Sequence, residues 1–257
     1  MPEGDTVFRT AATLHAALAG EEVTRFDIRV PRSATADLRG EIVRGVVPRG
    51  KHLLMRIGDW TLHSHLKMEG EWHVQRPGER WRTPAFRVRA VVGTARADAV
   101  GIDLAMVEVL PTSDEDRIVG HLGPDPLGPD WDPREAARRL AVDPRPVHVA
   151  LLDQRNVAGF GNEYANELLF VRGIRPTTPA TEVDAAALVE LGARMLRTNR
   201  DRPQRTFTGD LRRGRQNWVY RREGRPCRRC GTPIVGGTLG ASATSRRIVF
   251  WCPRCQA

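Results

Sequence analysis

Four cysteines form two C-x-x-C pairs, Cys227–Cys230 and Cys252–Cys255, separated by a stretch rich in Gly, Thr and Ser. Two turns that each present two thiolates can close a tetrahedron around zinc, and four soft sulfur ligands without histidine favour zinc over hard cations. A redox C-x-x-C would open the helix of a βαβ unit, which this segment lacks, and disulfides do not suit a cytosolic chain. The cysteines therefore predict one closed, structural Zn2+ site. At the other end stand Pro2 and Glu3. Removal of Met1, which a small second residue permits, makes Pro2 a secondary amine. Such an amine can attack an aldehydic sugar carbon and give an iminium ion, an electron sink for elimination. An α-amine titrates around 7.7–8 in model peptides, so part of it is neutral near pH 7. Glu3 could shuttle a proton, although on residue types alone an N-terminal Pro-Glu is usually just a terminus. Lys51 in PRGKHLL lies between a glycine turn and a strand, where a solvated charge is the common reading. Met68 in HLKMEG reads by default as core. In NVAGFGNEY, a helix start beside two glycines exposes N–H groups and a positive dipole end to a phosphate, and Asn162 adds an amide donor. The same glycines equally suit tight helix packing.

These residues must be held by two kinds of element. Residues 5–19 predict a helix with Val7, Ala11, Leu14 and Leu18 on one face, Asp5 or Thr6 as its cap and Gly20 as its stop. From Glu22 to Leu110 the pattern is β, with seven candidate strands: EVTRFDIRV, EIVRGVVPRG, KHLLMRIG, TLHSHL, EGEWHVQ, FRVRAVV and MVEVL. Short alternating strands at this spacing predict an antiparallel sandwich or barrel. Residues 111–147 are rich in Pro and Asp, with one short helix around 132–141, and read as a linker. HVALLDQ, NEYANELLFVRG and residues 181–199 then predict three helices, the last capped by Thr181.

The 257 residues are 40% hydrophobic and 28% charged, the composition of a globular protein and not of a disordered, collagenous or rod-like one. No apolar run reaches the roughly 18 residues that would cross a bilayer, and the polar start MPEGDTVFRT does not read as a secretory signal. A cytoplasmic protein without membrane association is expected. The net charge of +9 is unevenly placed. Residues 201–257 hold thirteen arginines and three acids, +10, whereas residues 1–200 hold 27 basic and 28 acidic residues, −1. A basic tail of this kind suits a polyanion, most simply nucleic acid.

Taken in order along nearly the whole chain, MPEG, PRGKHLL, HLKM, LGPDPL, ALLDQRNVAGFGNEYANELLF and RRIVFWCPRCQ resemble the motifs of the formamidopyrimidine-DNA glycosylase/endonuclease VIII family. The resemblance implies an α+β, two-domain protein. An N-terminal helix plus antiparallel β-sandwich (1–120) would be followed by a linker (121–146), a helix–two-turn–helix DNA-binding domain (147–220) and a four-cysteine zinc finger (221–257), with DNA in the cleft between the domains. It implies a monomeric, nucleoid-associated DNA glycosylase with AP-lyase activity in base-excision repair, acting on damaged DNA. By the resemblance, Pro2 attacks C1′, Glu3 protonates the deoxyribose ring oxygen, and Lys51 contacts phosphate and assists β-elimination. Asn162 and Arg247 match phosphate-binding residues, Arg247 being linked to δ-elimination. Met68 matches a wedge that fills the gap left by a flipped base.

The opening and the FWCP ending are closest to the endonuclease VIII branch, which mostly removes oxidised pyrimidines, and PEGDT resembles its second, actinobacterial group. Thr6 replaces a glutamate and Asp5 a proline. Lys67 and Glu69 replace a glutamine and a tyrosine of the void-filling trio, and His121 stands where an arginine contacting DNA is usual. The longer spacing between the cysteine pairs implies an enlarged hairpin tip. Oxidised purines remain an alternative substrate class, and a non-catalytic damaged-DNA-binding protein an alternative of another kind.

Overall fold

The computed structural model describes residues 2–240 and 246–257. It divides into two compact units, Met1–His121 and Leu122–Ala257. Among the described residues no helix is long and apolar enough to cross a membrane.

The first unit opens with α1 (Gly4–Leu18), whose Val7, Ala11, Leu14 and Leu18 are all buried, as the helical spacing requires. Its N-cap is neither Asp5 nor Thr6 but Glu3. The Glu3 backbone is extended, and its carbonyl accepts from the Thr6 and Val7 amides at 2.9 and 3.0 Å. Asp5 lies two residues further in, inside the first turn, and accepts from the Thr6 amide at 2.8 Å instead.

Eight strands follow: β1 (Val23–Ile28), β2 (Val43–Arg49), β3 (His52–Ile57), β4 (Trp60–His65), β5 (Glu71–Gln75), β6 (Val88–Thr94), β7 (Asp98–Ile102) and β8 (Met106–Pro111). They form two four-stranded antiparallel sheets, ordered β1-β6-β7-β5 and β2-β3-β4-β8. Val46, Leu53, Met55 and Leu62 of one sheet share a core with Ala90, Val92 and Ala99 of the other and with the apolar face of α1. That is the expected sandwich. Strand β7 had no signal in the sequence because all five of its residues are buried, so the period-2 alternation of a half-exposed strand is absent. Gly50 and Lys51 are the two turn residues between β2 and β3, where Arg49 pairs with His52. Gly50 has φ +58°, which a glycine adopts freely at the first position of a tight hairpin turn. After β8 the short helix α2 (Asp116–Val119) closes the unit.

The second unit contains α3 (Pro133–Ala141), α4 (Val147–Leu152), α5 (Asn162–Arg172) and α6 (Ala185–Arg200). The stretch expected as a linker carries α3, capped by Asp132 on the Arg134 and Glu135 amides. Its Ala136 and Leu140 are fully buried among Leu151, Tyr164, Leu168 and Leu188, so the stretch is part of the helical core. The last helix starts at Ala185, not at 181. Asp184 caps it through the Ala187 amide, while Thr181 lies in a preceding 3-10 turn. Strands β9 (Val235–Leu239) and β10 (Arg247–Trp251) pair as an antiparallel hairpin. Phe170 of α5 shares a core with Val219, Ile234, Phe250, Cys227 and Cys252, so the cysteine module packs on this helix. The expected enlarged tip falls on 241–245, outside the described residues.

Candidate active site and DNA interface

In the first unit, Glu3 is completely buried and Pro2 partly so. Lys51 stands at the tip of the β2–β3 turn, partly exposed. The segment after β4 makes a second tight turn. Lys67 has φ +49°, the left-handed region that side chains other than glycine avoid, and Met68 follows with 56% of its surface exposed. The expected core methionine of the bare sequence is thus a surface group. The Lys67 amide donates to His65 Nδ1 at 2.9 Å.

His65 belongs to a cluster that no motif signalled. His52 Nδ1 and His63 Nε2 lie 2.9 Å apart with their rings stacked, and His65 and His121 present their rings edge-on to His52. Burial, together with the neighbouring imidazoles and Lys51, pushes His52 down to about 3. Burial likewise pushes His65 down to about 4, with Lys51, His63 and Lys67 adding to it. These rings are neutral at pH 7. The sequence sign was only that two histidines two apart share a face of β4, with His52 paired opposite His65 on β3.

In the second unit, Gly161 is the N-cap of α5 and Asn162 its first residue. Asn162 is nearly buried. Its Oδ1 lies 3.0 Å from His148 Nε2, and its Nδ2 donates to the Ile248 carbonyl at 2.9 Å. One turn on, Asn166 donates to the Asn162 carbonyl at 2.6 Å and accepts from the Phe250 amide at 2.6 Å. Asn162 and Arg247, far apart in sequence, are thereby brought to neighbouring positions, because the Asn162 amide holds the residue that follows Arg247. Arg247 itself is exposed at the start of β10. His148 was not anticipated. It is fully buried, and burial pushes it down to about 4.

Glu167, also unanticipated, is fully buried and accepts from the Trp218, Val219 and Tyr220 amides at 2.8, 2.9 and 2.7 Å. Burial pushes its carboxyl up to about 7, against the pull of these three donors. Glu163 holds Arg205 at 2.7 Å and Asn217 at 3.0 Å. Part of the arginine-rich tail is therefore internal scaffolding. Arg205 is paired, Arg222 donates to the Trp218 and Pro226 carbonyls, Arg228 donates to the Asn217 and Gly214 carbonyls, and Arg229 stacks 4.6 Å over Phe170. Arg221, Arg225, Arg246, Arg247 and Arg254 are exposed, and so is Arg229 despite its stacking.

The four cysteine sulfurs lie within 4.8 Å of one another, with Cys227 and Cys255 4.0 Å apart and Cys230 and Cys252 3.4 Å apart. A tetrahedron of thiolates at about 2.3 Å from a metal has edges of about 3.8 Å. The donor set fits a tetrahedral metal ion, and the Arg229 amide already donates to Cys227 Sγ at 3.4 Å.

Comparison with known proteins agrees with this geometry. The formamidopyrimidine-DNA glycosylase N-terminal domain matches residues 1–103, and the formamidopyrimidine-DNA glycosylase H2TH domain matches residues 122–198. A sandwich opened by a Pro-Glu cap, a helical module and a four-cysteine hairpin in this order define a class, and the chain belongs to the formamidopyrimidine-DNA glycosylase/endonuclease VIII family. Within it, the chain is 53% identical over 258 residues to the DNA-(apurinic or apyrimidinic site) lyase Nei2 of Mycolicibacterium smegmatis, covering all of this chain and 99% of that one. It is 51% identical over 263 residues to the probable endonuclease 8 2 of Streptomyces coelicolor, covering all of this chain and 94% of that one. Identity to the formamidopyrimidine-DNA glycosylase of Geobacillus kaustophilus is 32% over 275 residues, covering all of this chain and 98% of that one. A solved structure of MutM in complex with carbocyclic 8-oxo-G containing DNA superposes with a TM-score of 0.82 over the full length of both chains at 24% identity, a likeness of fold.

Proposed function

We propose that this protein is a bifunctional DNA glycosylase and AP lyase of base-excision repair that removes oxidised pyrimidines through Pro2. The observation that carries this reading is the full-length likeness, at about half identity, to endonuclease 8 2 and Nei2 lyase relatives, in a chain that keeps Pro2 and a buried Glu3 at the start of α1. The neutral Pro2 amine attacks C1′ of the damaged nucleotide and the N-glycosidic bond breaks, the base leaving with its electron pair and a proton. Glu3 protonates the ring oxygen, the sugar opens, and an iminium ion joins Pro2 to C1′. Loss of a C2′ proton then expels the 3′-phosphate, and water releases the unsaturated aldehyde and the free amine. Lys51, at a hairpin tip, offers its ammonium to phosphate and assists the β-elimination; Arg247 assists a δ-elimination that expels the 5′-phosphate from the same iminium before water releases it.

Damaged DNA is the substrate, and the solved relatives bound to lesion-containing DNA support that reading at the level of fold. Met68, with Lys67 beside it, enters the gap left by the extruded base, and His121 faces DNA. Asn162 and Arg247 hold one stretch of backbone, which their adjacency through Ile248 favours. One structural Zn2+ on Cys227, Cys230, Cys252 and Cys255 fixes the hairpin that carries Arg247; zinc supplies cross-linking here and no chemistry on the substrate. The relatives at about half identity carry endonuclease 8 or Nei2 names, whereas the glycosylase of Geobacillus kaustophilus stands at 32%, which favours pyrimidine over purine lesions.

Borohydride trapping on duplexes that each carry one defined lesion tests the proposal. Covalent capture on oxidised pyrimidines, abolished in Pro2→Gly, is expected. Equal capture by Pro2→Gly would remove Pro2 as nucleophile, and base release confined to 8-oxoguanine would reverse the lesion class.

A further inference from the structure

The histidines of β3 and β4 join the buried sheet to the turn that carries Met68. His63 is completely buried, and its Nδ1 has no hydrogen-bond partner among the described residues. Its Nε2 faces His52 Nδ1 at 2.9 Å, so one proton is shared between the two nitrogens and both rings stay neutral. His52 in turn packs against His65 in a T-shaped pair, with ring centroids 5.2 Å apart and planes at 85°. The charged and titratable groups around the cluster are Lys51, Lys67, His121, Glu108 and Glu115.

His65 Nδ1 accepts the Lys67 amide proton, so this nitrogen carries a lone pair and the ring proton sits on Nε2. The accepted amide belongs to the one residue of the turn in the left-handed region. On the other side the Gly70 amide closes the turn on the Leu66 carbonyl at 2.9 Å. A side chain at Gly70 would bring its Cβ to 2.6 Å from that same oxygen. Met68 thus stands exposed at the apex of a turn pinned at two points, one of them an imidazole lone pair.

We infer that His65 is a positioning residue for Met68: its Nδ1 lone pair holds Lys67 in the left-handed conformation that presents the methionine, and the His52–His63 pair fixes the ring that supplies it. The inference rests on the reading of Met68 as the group that enters the base stack. A wedge already in place lowers the ordering cost of insertion without changing the contacts that dominate overall affinity. The signature is therefore a slower insertion step at unchanged binding to undamaged duplex.

Two isosteres separate the nitrogens of His65. Asparagine puts an acceptor oxygen near the position of Nδ1, whereas glutamine reaches the position of Nε2 and leaves Nδ1 empty. The full-length protein would be mixed in stopped flow with a duplex that has 2-aminopurine beside one oxidised pyrimidine. Loss of one hydrogen bond that shapes the turn predicts a fluorescence rise slower by about three- to tenfold in His65→Ala and His65→Gln. His65→Asn is expected to stay near the native rate, and all three should bind undamaged duplex as the native protein does. His65→Asn as slow as His65→Ala, or His65→Gln as fast as the native protein, overturns the inference. Met68→Ala reports on the underlying reading. A native rate in Met68→Ala removes the wedge itself, whereas a slow Met68→Ala beside a native-like His65→Ala removes only the clamp. Should His65→Ala fail to fold, the asparagine–glutamine pair alone decides.

Discussion

At the scale of single residues, His148 shows how a buried polar side chain sets the direction of another. Its Nε2 lies on Asn162 Oδ1, which turns the Asn162 amide nitrogen toward the Ile248 carbonyl. Burial lowers the folded-state value of His148 to about 4 from the ordinary 6.5, so the folded chain binds fewer protons than the unfolded one. Its contribution to stability is present above pH 6.5 and is lost as the pH falls toward 4. Each unit of lowering corresponds to about 1.4 kcal/mol, so the share lost between pH 6.5 and 5 is of order 2 kcal/mol. Urea unfolding at pH 7 and at pH 5 is expected to show a smaller acid loss in His148→Gln, which keeps an amide donor but does not titrate. An equal loss would mean that His148 is not held neutral. Glu167 supports a second expectation. Gln at this position replaces one acceptor oxygen by a donor and leaves at least one of the Trp218, Val219 and Tyr220 amides unpaired. A stability loss of about 1–3 kcal/mol is expected from the shift in urea midpoint.

At the scale of elements, α5 organises the second unit. Its first turn carries Asn162 and Glu163, its second Asn166 and Glu167, and these four side chains hold β10 and the segment from Arg205 to Tyr220. The i, i+4 repetition was visible in NEYANE, but the partners lie 42 to 86 positions away, so pattern alone did not show what the face would meet. Against the other side, α6 packs closely at Gly192, where a Cβ would lie 2.4 Å from the Phe160 ring. Gly192→Ala is expected to destabilise by about 1–3 kcal/mol through overpacking, seen as a lower thermal midpoint. The cysteine hairpin has a small core, so the proposed zinc cross-link is expected to carry much of its stability. Chelation with a strong zinc ligand is expected to abolish DNA binding while leaving the far-ultraviolet β signal of the first unit. Retained binding after metal loss would exclude the hairpin from the interface.

At the scale of the whole molecule, the charge distribution sets how DNA is met. The +10 of residues 201–257 contrasts with the −1 of the rest, although Arg205, Arg222, Arg228 and Arg229 serve internal contacts. The exposed remainder should make affinity fall steeply with salt. Arg247→Ala is expected to lower affinity on damaged and undamaged duplex alike and to reduce the slope of log affinity against log salt by about 0.9, the value for one phosphate contact. An unchanged slope would show that Arg247 does not meet a phosphate.

The sequence by itself singled out the candidate residues for the chemistry and determined most of the elements. Pro2 beside Glu3, the glycine turn before Lys51 and the C-x-x-C pairs are local signals, and α1 and seven of the eight sandwich strands follow from local periodicity. Only the tertiary structure decided what depends on groups distant along the chain. It set Glu3 as the cap of α1, turned Met68 outward, buried α3 in the helical core and revealed β7, which lacks alternation because both of its faces are covered. It also gathered His52, His63 and His65 against one turn and tied Asn162 to the residue after Arg247. Periodicity reports which side of an element is apolar. Which polar groups meet across elements is settled by packing, because each buried donor or acceptor must find its partner wherever the fold brings one.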